Sequence, residues 1–161
     1  MAKPRAIPDL SADASYAEAA AKVISVRAAE LTEQAEGVLD TGDIERVHDM
    51  RVATRRLRAA LEIFEPCFPA RSYRRALEVV KRLADALGER RDRDVAIAAL
   101  RAFNDQMPAP DRTGVSSLIA RYRNEQVEAN TGLAPLVEEP SLISLRESLE
   151  ELVAAGREDV A

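Results

Sequence analysis

Between Val47 and Phe64 one stretch of sequence makes two demands that a fold must meet together. Val47, Met50, Ala53, Leu57, Ala60, Leu61 and Phe64 recur at three- and four-residue intervals. On a helix of about 100° per residue they collect on one side, within about 140°. His48, Arg51, Arg55 and Arg58 fall on a neighbouring stripe about 80° wide. The first set must be packed against other helices. The second set consists of cationic or potentially cationic groups that repel one another, and an anion lying along them relieves that repulsion. A thinner apolar strip, Val52, Ala59 and Ile63, borders the stripe on its far side. Hydrocarbon on both flanks predicts that the arginines line a groove or pore, where a lowered dielectric strengthens their pull on an anion.

The rest of the chain reads as helix, with no strand, giving an all-α, up-and-down antiparallel bundle of about six helices. Residues 1–14 form an extended, proline-containing lead, and 15–161 a single helical domain. Ser15 and Glu18 have capping-box spacing, and the helix they open runs to about Leu39. Asp40-Thr41-Gly42 is a turn, and Asp43 caps a second helix that Pro66 stops near Glu65. The third runs from about Ala70 to Leu87 and ends at Gly88; the fourth runs from near Arg91 to Pro108. The fifth, capped by Asp111, reaches about Glu138 with Gly132 and Pro135 as distortions, and the sixth starts at Pro140 and reaches about Ala155. Short connections make neighbours antiparallel.

The third helix has a core face of Tyr73, Ala76, Leu77, Val80, Leu83, Ala84 and Leu87, and carries Arg71, Arg74, Arg75, Lys81 and Arg82 on its other side. Antiparallel to the second, it can turn these cations toward the volume the His48 stripe faces. Glu78 and Asp85 interrupt the row and are spaced to neutralise part of it. Arg91 is a further ligand candidate, while Asp92 suits a helix entry. Lys22 and Arg27 on the first helix are within reach of the same volume, with no fixed direction. The net charge of −5 conceals an asymmetry: residues 46–93 hold 13 Lys/Arg against 7 Asp/Glu, and the remainder holds 10 against 21. Such a chain favours one docked polyanion and repels others elsewhere.

A single cysteine excludes an internal disulfide, and with a single histidine it argues against a zinc site, so Cys67 reads as a small buried residue in an interhelix corner. No apolar run approaches the roughly 18 residues of a membrane span. The N-terminus lacks an apolar signal core, which predicts a cytoplasmic protein with no membrane partner.

The run His48-Asp49-Met50-Arg51-Val52, then Arg55-Arg56-Leu57-Arg58, then Gly88 followed by Arg91-Asp92 and Asp94-Val95, resembles the conserved histidine α-helical domain, CHAD. The first block is highly specific and the second moderately so; the flanking helices resemble the family in pattern only. The resemblance implies two similar helical halves around a basic groove that binds inorganic polyphosphate through histidine, arginine and lysine. The implied ligands are His48, Arg51, Arg55, Arg56, Arg58, Arg74, Arg75, Lys81, Arg82 and Arg91. Some CHAD domains are fused to a CYTH-type triphosphatase, whose E-x-E-x-K signature does not occur here. Family members usually carry a second half with its own basic helix, often opened by another histidine. This chain matches the first half, so either a homodimer rebuilds the groove or the chain is a degenerate or truncated member. The homodimer is favoured because a two-fold pair restores the internal pseudo-symmetry.

Arginine suits such a ligand because its planar fork grips phosphate oxygens two at a time. Histidine adds a directed hydrogen bond, and binding should strengthen as pH falls through the histidine range. Catalytic readings fare badly. His48-Asp49 stands without the further histidines a metal phosphohydrolase needs, Glu45-x-x-His48 is half of a di-iron motif beside arginines that oppose a dication, and no G-x-x-x-x-G-K loop occurs. The expectation is a non-enzymatic protein with no cofactor. The rivals are a nucleic-acid-binding helical protein, disfavoured by the lack of aromatic stacking platforms beside the stripe, and a scaffold that receives an acidic partner at polyphosphate granules.

Overall fold

The computed structural model describes residues 3–158. It contains five α-helices: α1 (Tyr16–Glu33), α2 (Ile44–Ile63), α3 (Ala70–Gln106), α4 (Arg112–Val137) and α5 (Glu139–Glu158), with short 3₁₀ turns at Glu65–Cys67 and Ala109–Asp111. The all-α reading holds, but the number of helices is five, not six.

The difference lies at Gly88. The expected third and fourth helices are one helix of 37 residues, α3, about 55 Å long. A lone glycine in a helix interior costs only about 1 kcal/mol relative to alanine. Here Leu83, Leu87, Arg90, Asp94 and Ile97, all buried, carry the same helical face straight through it. No close packing requires the glycine: a Cβ built there meets no atom within 4 Å. A second difference is the end of α1. The helix stops at Glu33, and residues 34–39 form turns in which Gly37 adopts φ 69°.

Other local signals operate as the chemistry dictates. Ser15 Oγ accepts from the Glu18 N–H at 3.2 Å while the Ser15 N–H donates to Glu18 Oε2 at 2.8 Å, a complete capping box. Asp43 Oδ1 accepts from the Glu45 N–H at 3.3 Å and starts α2. Pro135 lies inside α4 without ending it. Cys67 is a buried free thiol in the corner between α2 and α3, and burial pushes its pKa up.

Helices α1, α2, the first half of α3, and α5 enclose the core. Ile24, Leu31, Val47, Met50, Leu57, Leu61, Val80, Leu87 and Leu152 are fully or almost fully excluded from solvent. Because α3 is almost twice the length of α2, its second half outruns the core and pairs with α4 as an arm. Between Ile97 and Gln126 only Ile119 is buried. Phe103 (53% exposed) and Val127 (60% exposed) face outward.

Two glycine substitutions test this account in opposite directions. Gly88→Ala adds helix propensity with no clash and is expected to stabilise by about 1 kcal/mol, or about 2–4 °C in Tm for a chain of this size. Gly156→Ala places a Cβ 2.7 Å from the Cys67 carbonyl oxygen and the Phe68 ring, so it is expected to lower Tm. Thermal denaturation followed by circular dichroism reads both; a lower Tm for Gly88→Ala would contradict a helix running unstrained through that position.

Candidate anion-binding groove

Two contacts fix how α2 lies against α3. Near the start of α2, Arg91 Nη1 donates to the Ile44 carbonyl at 2.9 Å and lies 3.5 Å from Glu45 Oε1. At the other end, Tyr73 is buried where its hydroxyl is pushed up first by desolvation and then by the charges of Glu65 and Glu62. The helices are therefore antiparallel, with Ile44 level with Arg91 and Glu62 level with Tyr73. Ile44, Arg51 and Arg58 lie at seven-residue intervals on one line of α2; Leu77, Ala84 and Arg91 do the same on α3. With α2 and α3 in this register, Arg51 lies level with Ala84, Arg55 level with Val80 and Lys81, and His48 level with Leu87 and Gly88. Ala84 and Gly88 supply no bulk at that height, and the unfilled space at Gly88 extends the opening. Arg74 lies seven residues before Lys81 on the same flank of α3.

His48 and Arg51 are half-buried and Arg55 is exposed. Among the described residues, none of them, nor Arg74, Lys81 or Arg82, forms an ion pair with a carboxylate. Glu78 and Asp85, spaced to neutralise the α3 row, pair with none of it. The other cations expected at the site are engaged. Arg58 Nε donates to Glu62 Oε1 at 2.9 Å. Arg91 is the clamp between α2 and α3. Arg56 points to the α1 side, where its charge acts on Glu30. Burial alone would raise the Glu30 pKa, but the Arg5 amide, Arg27 and Arg56 together hold it below the usual carboxylate range.

Three further groups lie elsewhere. Arg75 and Arg82 sit about 100° around α3 from Arg74 and Lys81 and line a space against α5. Lys22 donates to the Asp9 carbonyl, and Arg27 to the Arg5 carbonyl at 3.1 Å and Glu30 Oε2 at 2.7 Å, so α1 directs both toward the N-terminal lead. The strip Val52, Ala59 and Ile63 does not form a second wall: Ala59 is exposed and Ile63 is 62% exposed. Val52, at the stripe's other edge, is half-buried, so that side is only partly covered among the described residues.

The family model of the CHAD domain matches residues 22–161. The chain belongs to the CHAD family. That family is associated with polyphosphate. Neither a curated protein nor a solved structure matches the chain. No helix among the described residues is long and apolar enough to cross a membrane, and among those residues no three His, Cys, Asp or Glu side chains are grouped to hold a metal ion.

The CHAD fold here also contains a polar element that the sequence reading passed over. Arg90 and Asp94 are 0% and 1% exposed, with Arg90 Nη1 3.2 Å from Asp94 Oδ2. Gln126 Nε2 on α4 donates to Asp94 Oδ1 at 2.6 Å. The Arg90 nitrogens and Asp94 Oδ2 make no hydrogen bond of good geometry. Desolvation pushes the Arg90 pKa down and the Asp94 pKa up, in each case against the attraction of its partner. Burial thus outweighs pairing, and the pair ties α3 to α4 at a cost in solvation. The signal was present: Arg90 and Asp94 occupy core positions in the line Leu83, Leu87, Arg90, Asp94, Ile97. Removing one partner strands the other, so Arg90→Met or Asp94→Ala is each expected to cost about 3–5 kcal/mol. The double variant Arg90→Met/Asp94→Leu is expected to lose clearly less than the sum of the two. Urea denaturation measures this, and strict additivity would contradict a mutually dependent buried pair.

Proposed function

We propose that this CHAD domain binds inorganic polyphosphate, without turning it over, along the groove between α2 and α3. One observation carries the reading. In a chain of net charge −5, His48, Arg51 and Arg55 share one stripe of α2, and among the described residues neither they nor Arg74 and Lys81 on α3 form an ion pair with a carboxylate, while Arg58 and Arg91 do. Unpaired like charges on two packed helices favour an anion of high charge density. Successive phosphates meet that need, with guanidinium forks gripping their oxygens. The acidic remainder of the surface opposes duplex or single-stranded nucleic acid extending beyond the groove. The exposed Ala59 and Ile63 support a homodimer, in which a second copy supplies the missing wall. A cytoplasmic location, at or near polyphosphate granules, accords with this ligand.

Charge-assisted contacts contribute about 1.5–3 kcal/mol each. Arg51→Ala/Arg55→Ala is therefore expected to weaken retention of long-chain polyphosphate by at least about 100-fold, with unchanged helix content. The salt dependence of binding should become shallower, as fewer counterions are released. Arg58→Ala, removing a side chain already held by Glu62, is expected to have the smaller effect. Filter retention or fluorescence anisotropy measured across a salt series tests this, and undiminished affinity in the double variant would contradict the site.

A further inference from the structure

We infer that Glu62 is a specificity-determining residue of the α2–α3 groove: it ends the run of cations, so that only a short section of an anionic chain is engaged. The inference rests on the reading above and adds to it the length of anion that the groove accepts.

His48, Arg51, Arg55 and Arg58 spread over about 80° of α2, and Glu62 stands in the middle of that spread. It is one turn past Arg58 and two turns past Arg55. The basic stripe therefore does not fade into neutral residues. It runs into a carboxylate, with Glu65 just beyond the end of the helix. Arg58 Nε donates to Glu62 Oε1 at 2.9 Å, so the last arginine of the stripe is turned toward the acid. The charge of Glu62 also reaches α3, where, after desolvation and Glu65, it raises the pKa of the Tyr73 hydroxyl. Glu62 thus acts across the end of the groove as well as along α2. The side chains of Arg58 and Glu62 are 42% and 48% exposed, open to a ligand arriving along the stripe.

The opposite end is bounded too. Helix α2 starts at Ile44, whose carbonyl accepts from Arg91, and Glu45 lies 3.5 Å from the same guanidinium. The unpaired cations of the stripe are confined to the stretch from His48 to Arg55, about 10.5 Å along the axis. An exposed ion pair such as Arg58–Glu62 contributes little by itself. The effect of Glu62 lies in its position: its negative charge sits on the line that an extended polyanion would follow, and repels it whether or not Arg58 is released. A short anion between His48 and Arg55 avoids that repulsion. A long one must turn away from α2 after Arg55.

Isothermal titration of the full chain with sodium tripolyphosphate and with long-chain polyphosphate, across a salt series, tests this. Glu62→Gln removes the charge at nearly constant size. It is expected to raise affinity for the long chain about threefold and to steepen its salt dependence by about one released counterion. Affinity for tripolyphosphate is expected to stay unchanged. Adding Arg58→Ala is expected to abolish the steeper salt dependence, because the freed guanidinium supplies it. Glu147→Gln, the same change in net charge on α5, is expected to alter neither ligand. Unchanged long-chain affinity in Glu62→Gln would overturn the inference, as would an equal gain for both ligands or the same gain in Glu147→Gln. Arg51→Ala/Arg55→Ala separates the two readings. If it binds both ligands as the wild type does, the groove reading itself fails; if it weakens both while Glu62→Gln changes nothing, only the length limit fails.

Discussion

Burial of one face of α2 determines what the remainder of this molecule can do. Val47, Met50, Leu57 and Leu61 are completely excluded from solvent, so the helix cannot rotate about its axis without exposing them. Each such side chain contributes about 1.5–3 kcal/mol on burial. The adjacent face is thereby fixed as well, so the backbone positions of His48, Arg51 and Arg55 stay on one side of the helix. Hydrophobic packing thus holds the cations in place, and their repulsion is small beside the burial that enforces it. The Arg91 clamp and the antiparallel course of α3 then decide which residues stand beside them.

Small side chains shape the groove as much as charged ones do. Ala84 and Gly88 lie on α3 at the height of Arg51 and His48, and a Cβ at Gly88 would meet open space. The acids are distributed to the same end. Glu62 engages Arg58, while among the described residues Glu78 and Asp85 form no ion pair with the α3 arginines and lysine. Outside residues 46–93 the chain is predominantly acidic.

Much of this was legible in the residues. The all-α class, the capping box at Ser15, the start of α2 at Asp43, its stop before Pro66 and the core face of α2 all follow from periodicity and caps, and the structure places them accordingly. Gly88 misled because local propensity was weighed as a stop signal. The continuous line Leu83, Leu87, Arg90, Asp94, Ile97 overrides it, and that line was obscured because two of its members are charged. Site membership was legible only in part. Periodicity places His48, Arg51, Arg55 and Arg58 on one stripe, but a helical wheel does not reveal that Glu62 occupies Arg58 or that Arg56 serves α1. It also cannot tell that Arg75 and Arg82 line a space against α5. Those distinctions depend on which helix packs on which flank, a tertiary fact set by the 37-residue length of α3.

The most direct test of the central claim is to follow individual arginine side chains while the ligand binds. Nuclear magnetic resonance of the guanidinium Nε–H groups, titrated with long-chain polyphosphate, reports each arginine separately. The groove between α2 and α3 predicts the largest changes at Arg51 and Arg55, with Arg91 remaining bound to the Ile44 carbonyl. Changes confined to the arm arginines Arg101, Arg112 and Arg123, with Arg51 and Arg55 unmoved, would contradict it.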